Sequence, residues 1–366
     1  MRAYQITRHG GPEALESVEL PRPEPQSGEV LVEVRACSLN HLDLWVRNGV
    51  EGYVFPLPII PGSEIAGTIA TVGPGVEDLT PGAPTLVAPA VSCGLCDRCL
   101  NNQDPLCRDY KILGEHRDGG YAEFVVVPRR NILPLPEALT FVEAAAIPLV
   151  FLTAWHMLTS RARLAAGEDV LIHAAGSGVS TAAIQIAALL GARRIIVTAA
   201  GEAKLKKALE LGATDTIDYA QEDFVGATKK TTGGKGVEVV VDHVGGETFE
   251  RSLSALGWGG RLVLCGATSA HLARLNLRAV FFKSLSILGS TMGSLGELRH
   301  LLGFVEQGKL RPVVDRTFPF DRAHDALRVL EERRNIGKVV LELDPLRSGT
   351  EKDPKTAASG GEGGSE

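Results

Sequence analysis

From residue 168 onward, short apolar runs alternate with glycine turns and helix-forming runs. This alternation limits the fold more than any other feature of the chain. EDVLIHA has the pattern of a buried strand, AGSGVS is a glycine turn, and TAAIQIAALLG is a helix closed by Gly191. RRIIVTA and GEAKLKKALELG repeat the unit, the helix closing at Gly212. VEVVVDHV (237–244) and GGRLVLCG (259–266) add strands, and LSILGSTMG (285–293) supplies a last one. Such alternation predicts parallel βαβ units in a doubly wound α/β sheet.

The preceding 150 residues differ. GEVLVEVRACSL (28–39) and EIAGTIATVG (64–73) read as Val- and Ile-rich strands between Pro- and Gly-marked loops. FVEAAAIPLVFLTAWHMLTSRARL (141–164) has helical composition interrupted by Pro148, and 294–344 reads as a helix, strands, a second helix and a final strand. A length of 366 residues suits two domains. The expected division is a β-rich domain over 1–150 and 294–345, and a parallel-sheet domain over 151–293. RSGTEKDPKTAASGGEGGSE (347–366) is polar and Gly/Ser-rich, so 346–366 is expected to be a disordered tail.

A net charge of −6 argues against a nucleic-acid or anionic-membrane surface. No run reaches the roughly 18 apolar residues of a bilayer helix. MRAYQITRHGGPEAL lacks the apolar core of a secretory signal, which predicts a cytoplasmic chain. Six cysteines in such a chain suggest metal binding or ordinary burial.

AAGSGVS (174–180) follows a strand and opens a helix, the place where a dinucleotide pyrophosphate docks on backbone N–H groups. Gly176, Ser177, Gly178, Val179 and Ser180 are the candidate contacts. The three-glycine fingerprint is eroded, with Ala175, Ser177 and Ser180 standing where glycines often do. The next strand ends Thr198-Ala199-Ala200-Gly201, without the acid that holds an NAD ribose. Lys204 lies just beyond and is placed to pair with a 2′-phosphate, with Ala199 and Tyr219 as neighbouring contacts. NADP(H) is therefore favoured over NAD(H), although Glu202 complicates the choice.

Cys93, Cys96, Cys99 and Cys107 follow C-x2-C-x2-C-x7-C. Four thiolates close a tetrahedral shell around Zn²⁺ and leave no open position, so the expected lobe (about 91–110) binds one structural zinc. Cys37 and Cys265 read as small core residues of strands.

The β-rich half, the cysteine lobe and the AAGSGVS turn together resemble the zinc-type medium-chain dehydrogenase/reductase superfamily, over residues 1 to about 344. The resemblance implies a GroES-like catalytic domain, a Rossmann-type cofactor domain and a chain that returns to the first domain. VDHVGG, GGRLVLCG and LGSTMG resemble the superfamily's nicotinamide-side strands. That implies Val244, Cys265, Gly266, Ser290 and Met292 near the nicotinamide, with Lys338 reaching the cofactor from the closing strand. A homodimer or homotetramer, with the sheet edge near 285–293 as the dimer contact, is implied as well.

Zinc alcohol dehydrogenases of this superfamily ligate a catalytic zinc through a Cys, a His and a third group at the domain junction. Here Asn40 stands in the Cys position, Ser63 in the His position, and Leu149, Val150 and Phe151 at the junction. Asn and Ser are poor zinc ligands, so no catalytic zinc is expected; a rearranged site on His41, Asp43 or Glu64 is the alternative. NHLDLWVRNG instead resembles the zinc-free quinone oxidoreductase and enoyl reductase branch, matching at Asn40, Asp43, Trp45, Arg47 and Gly49. Most of that branch lacks the cysteine lobe.

The candidate catalytic residues are Asn40, with an amide to donate to substrate or ribose; Asp43, orienting its neighbours; Trp45, a flat wall; and Thr153, near the nicotinamide. Tyr53 as a proton donor and His156 at the junction are weaker candidates. The expected activity is NAD(P)H-dependent hydride transfer to a small-molecule quinone or α,β-unsaturated carbonyl. The alternatives are an alcohol dehydrogenase with a relocated zinc and a non-catalytic dinucleotide-binding protein.

Overall fold

The computed structural model describes residues 1–344; the expectation of a disordered tail at 346–366 falls outside them. Six strands form an all-parallel sheet in the order Asp215–Asp218, Arg194–Ala199, Asp169–Ile172, Val237–Asp242, Leu256–Leu264 and Ser286–Gly289. The expected doubly wound sheet is present. Its chain order reverses between Asp169–Ile172 and Val237–Asp242, and ligands bind at the carboxyl ends of strands flanking such a reversal. The apolar runs make the central strands: Val170, Leu171, Ile172, Val239, Val240 and Val241 are fully buried. Asp215–Asp218 is the strand that the sequence pattern passes over, because TDTIDY lacks an apolar run.

The second large sheet has seven strands. Val314–Pro319, Lys338–Glu342, Glu29–Ser38, Glu64–Val72, Pro84–Val87 and Ile132–Pro134 follow in order, with Phe124–Pro128 also paired to Glu29–Ser38. Lys338–Glu342 runs antiparallel to Glu29–Ser38, with Val340 opposite Ser38, so the end of the described chain is built into the sheet of its beginning. Residues 141–164 form a short helix Phe141–Ala144, a helix Val150–Trp155 and a π-helical turn His156–Arg161. Pro148 separates the two helices, since it lacks an N–H to donate and crowds the preceding turn.

Cys37 is fully buried in its strand. Cys265 departs from the expectation: it follows the strand end at Leu264 and is partly exposed on a cavity wall. Among the described residues no helix is long and apolar enough to cross a membrane.

Candidate functional site

A cavity of about 770 Å³ lies between the two sheets, at the carboxyl ends of the parallel strands. The glycine turn forms part of its wall. Ala174, two residues past strand Asp169–Ile172, has φ 53°, and Ser177 caps helix Gly178–Leu189 by accepting from Ser180 N at 3.0 Å. The first turn of a helix leaves N–H groups without intrahelical acceptors, and Gly178 and Val179 bring this one to the cavity. The two glycines leave room here for lysine side chains. A Cβ on Gly176 would lie 2.9 Å from Lys204 Cδ, and one on Gly178 2.6 Å from Lys338 Cδ.

Asn40, Trp45, Thr153, Gly176, Ser177, Gly178, Val179, Ala199, Lys204, Tyr219, Val244, Cys265, Gly266, Ser290, Met292 and Lys338 all line this cavity. Asp43 and Ser180 stand behind the wall. Ser180 Oγ donates to His173 O at 2.6 Å and meets His243 Nε2 at 2.9 Å. Asp43 Oδ2 accepts from Asn40 N at 2.8 Å and Tyr121 Oη at 3.0 Å. Burial raises the Asp43 carboxyl to about 6, against those hydrogen bonds.

Several expected side chains are engaged differently from the sequence reading. Asn40 does not present a free amide. Its Nδ2 donates to Glu64 Oε2 at 3.1 Å, and its Oδ1 accepts from Lys338 Nζ at 2.7 Å. Lys338 Nζ also donates to Leu39 O at 2.5 Å and lies 2.7 Å from Glu64 Oε2, so protein acceptors surround its ammonium. Lys204 Nζ donates to Arg333 O at 2.7 Å. Tyr53 is outside the cavity lining, its hydroxyl donating to Glu115 Oε1 at 2.9 Å. His156 Nδ1 meets Glu297 Oε2 at 2.9 Å, away from the cavity. Burial alone would raise the Glu297 carboxyl, but hydrogen bonds from His156, Ser160 and Ser294 N hold it down, to about 2.

Two wall hydroxyls have no partner. Thr153 Oγ1 and Ser290 Oγ are buried and make no hydrogen bond among the described residues. A buried polar atom left in this state marks a place where a ligand supplies the bond. With the glycine cradle, they form a wall that fits a dinucleotide.

The sequence reading missed His173, His243 and Arg333, which also line the cavity. His243 Nε2 bridges Ser177 Oγ and Ser180 Oγ, each at 2.9 Å, and His173 spans Thr198 Oγ1 and Ser252 Oγ. Burial lowers both imidazoles to about 4, so they act as neutral rings; His243 braces the glycine turn, and His173 ties the end of one strand to its neighbour and to helix Gly246–Ala255. Arg333 sits in a loop beyond any local motif; only a count of cationic side chains near the closing strand would have flagged it.

The four lobe cysteines converge. Cys93–Cys99, Cys96–Cys99 and Cys93–Cys107 Sγ distances are 3.8, 3.6 and 3.6 Å, and all four sulfurs lie within 4.8 Å of one another. Thiolates ligating at roughly 2.3 Å around a tetrahedron stand about 3.8 Å apart, so the set fits zinc. Among the described residues it is the single group of three or more His, Cys, Asp or Glu side chains that converges this way. His41, Asp43 and Glu64 do not. Glu64 Oε1 accepts from Leu149 N and Val150 N, while its Oε2 takes Ser38, Asn40 and Lys338. Ser63 Oγ is turned to Leu113 O at 2.7 Å.

The zinc-binding dehydrogenase family model matches residues 178–307, and the alcohol dehydrogenase GroES-like domain model matches residues 26–137. Quinone oxidoreductase of Rattus norvegicus is 30% identical over 351 residues, spanning 94% of this chain and 98% of that protein. A zinc-type alcohol dehydrogenase-like protein of Schizosaccharomyces pombe is 32% identical over 336 residues, spanning 90% and 94%. A crystal structure of an NAD-dependent alcohol dehydrogenase is 50% identical and superposes with a TM-score of 0.90, over 94% of this chain and 100% of that one.

Proposed function

The chain belongs to the medium-chain dehydrogenase/reductase superfamily and is an NAD(P)-dependent oxidoreductase; from that premise we propose that it reduces quinones or α,β-unsaturated carbonyls without a catalytic metal. One observation carries the reading. The Lys338 ammonium is fastened to Asn40 and Glu64, and Ser63 is spent on a backbone carbonyl. A cation among these side chains repels a second one, and amide and hydroxyl groups are weak zinc ligands. Conjugated acceptors need no Lewis acid, because the charge left by hydride addition spreads into an enolate or hydroquinone.

The nicotinamide supplies the hydride when bound. Gly176, Ser177, Gly178 and Val179 hold the pyrophosphate on backbone N–H groups, with Ser180 and His243 bracing the turn. Lys204 and Arg333 favour a 2′-phosphate, hence NADP(H) over NAD(H), and Ala199 and Tyr219 flank the adenosine ribose. Val244, Cys265, Gly266 and Met292 wall the nicotinamide. Thr153 and Ser290 offer hydroxyls to the cofactor or to a developing oxyanion. Trp45 gives a flat apolar face, and Asp43 fixes the Asn40 backbone. Cys93, Cys96, Cys99 and Cys107 hold a structural zinc.

We further propose a β-rich domain over 1–150 and 294–345 and a cofactor domain over 151–293, assembled as a homo-oligomer. Exposed Trp258, Phe281 and Phe282 beside the edge strand Ser286–Gly289 support self-association. Oxidation of NADPH by a panel of quinones, enals, enones and enoyl thioesters tests the activity; background rates throughout would overturn it. The second reading, an alcohol dehydrogenase, is favoured by the name of the 50% identical structure. It predicts chelator-sensitive oxidation of a simple alcohol.

A further inference from the structure

The cavity is electrically lopsided. Lys204, Arg251 and Arg333 stand on its cofactor-turn side, where the acidic Glu247 lies 3.8 Å from Arg251. Glu115 lines the same cavity, as do the apolar side chains of Leu39, Leu42, Trp45, Ile112 and Leu149.

Glu115 is held in place. Its side chain is 12% exposed, and the Tyr53 hydroxyl donates to Oε1 at 2.9 Å. The Tyr53 oxygen also lies 2.8 Å from His116 Nε2. Ile112 N donates to His116 Nδ1 at 3.2 Å, which leaves the ring proton on Nε2, facing Tyr53. The turn bearing Glu115 is tied to the segment that precedes strand Glu64–Val72. Ser63 Oγ donates to Leu113 O, and a Cβ on Gly114 would meet Gly62 N at 2.6 Å. Among the described residues no Lys or Arg nitrogen pairs with this carboxylate; the basic nitrogen nearest it is His116 Nδ1, at 3.7 Å, which accepts from Ile112 N.

We propose that Glu115 is a charge filter on the hydride acceptor. An almost buried carboxylate without a Lys or Arg counter-ion repels an anion brought into the same apolar space, where water screens poorly. Uncharged conjugated carbonyls and quinones enter; carboxylate- or phosphate-bearing acceptors are rejected, acyl thioesters of phosphorylated carriers included. This rests on the reading that the acceptor occupies this end of the cavity.

Two matched ligand pairs test it on the full-length protein. Binding of 3-benzoylpropionate and its methyl ester to the NADP⁺-loaded protein is measured by calorimetry, since neither member is a conjugated enone. Turnover of benzoylacrylate and its methyl ester with NADPH is measured beside it. The wild type is expected to prefer the ester by about tenfold. Glu115→Gln brings the ratio close to one, and Glu115→Lys reverses it. Tyr53→Phe, which keeps the charge, keeps the preference. An ester-to-acid ratio unmoved by either Glu115 substitution, or no measurable binding of either ligand, overturns the proposal. If the saturated pair behaves as expected while neither enone is reduced, the charge filter stands and the proposed reductase activity fails.

Discussion

Lys338 Nζ lies 2.7 Å from Glu64 Oε2, both side chains buried, and the pair joins three parts of the molecule. Glu64 begins a strand of the seven-stranded sheet, its Oε1 receives the N–H groups that open helix Val150–Trp155, and the Lys338 stem packs on Gly178. Removing one partner leaves the other charged and buried. Lys338→Met is expected to cost about 3 kcal/mol in urea unfolding. Lys338→Met with Glu64→Gln should recover more than half of that; an additive double variant would mean that the two do not act as a pair.

Asp43 gives stability a pH dependence of definite sign. Its carboxyl is raised from an ordinary 3.8 to about 6 by burial, so the folded state binds the proton more tightly than the unfolded one. The contribution is present in full below about pH 4 and is lost as pH rises through about 6. The difference corresponds to about 3 kcal/mol at most. Asp43→Asn should flatten this part of the profile between pH 4 and 7. Parallel wild-type and variant profiles would show that Asp43 does not titrate in that range.

Thr153 separates a role in function from one in packing. Its hydroxyl is buried and bonds to nothing among the described residues, so Thr153→Val should leave the unfolding free energy in urea unchanged or raise it slightly, by about 1 kcal/mol at most. The same change should lower kcat about tenfold by removing a donor that ligand or substrate uses. Unchanged kcat would remove Thr153 from the site.

Lys204 bears on cofactor choice. It is held beside Gly176 by a hydrogen bond to Arg333 O. Lys204→Ala should lower kcat/KM for NADPH about tenfold and leave NADH nearly unaffected. Equal losses for both cofactors would assign Lys204 to packing.

Much of this was legible because it depends on local chemistry. Strand, glycine turn and helix follow from apolar runs and from the room that Gly176 and Gly178 leave at the turn, and the cysteine lobe follows from spacing alone. What escaped depends on distance along the chain. Asn40 reads as an available amide until Lys338, 298 positions away, and Glu64 take both its ends. His243 meets Ser177 across 66 positions, and nothing in VDHVGG marks that histidine as the brace of the turn. Tyr53 reads as a donor to substrate, but its partners Glu115, which accepts its hydrogen bond, and His116 lie in a separate turn.

The proposed chemistry requires a cleft that takes no metal beside a cysteine lobe that holds one zinc. The most direct measurement is zinc per chain on protein purified without added metal or chelator. One zinc per chain, released on substitution of Cys96 or Cys99 and unchanged by substitution of His41 or Glu64, is the predicted result. Two zinc ions per chain, one of them lost with His41 or Glu64, would contradict it.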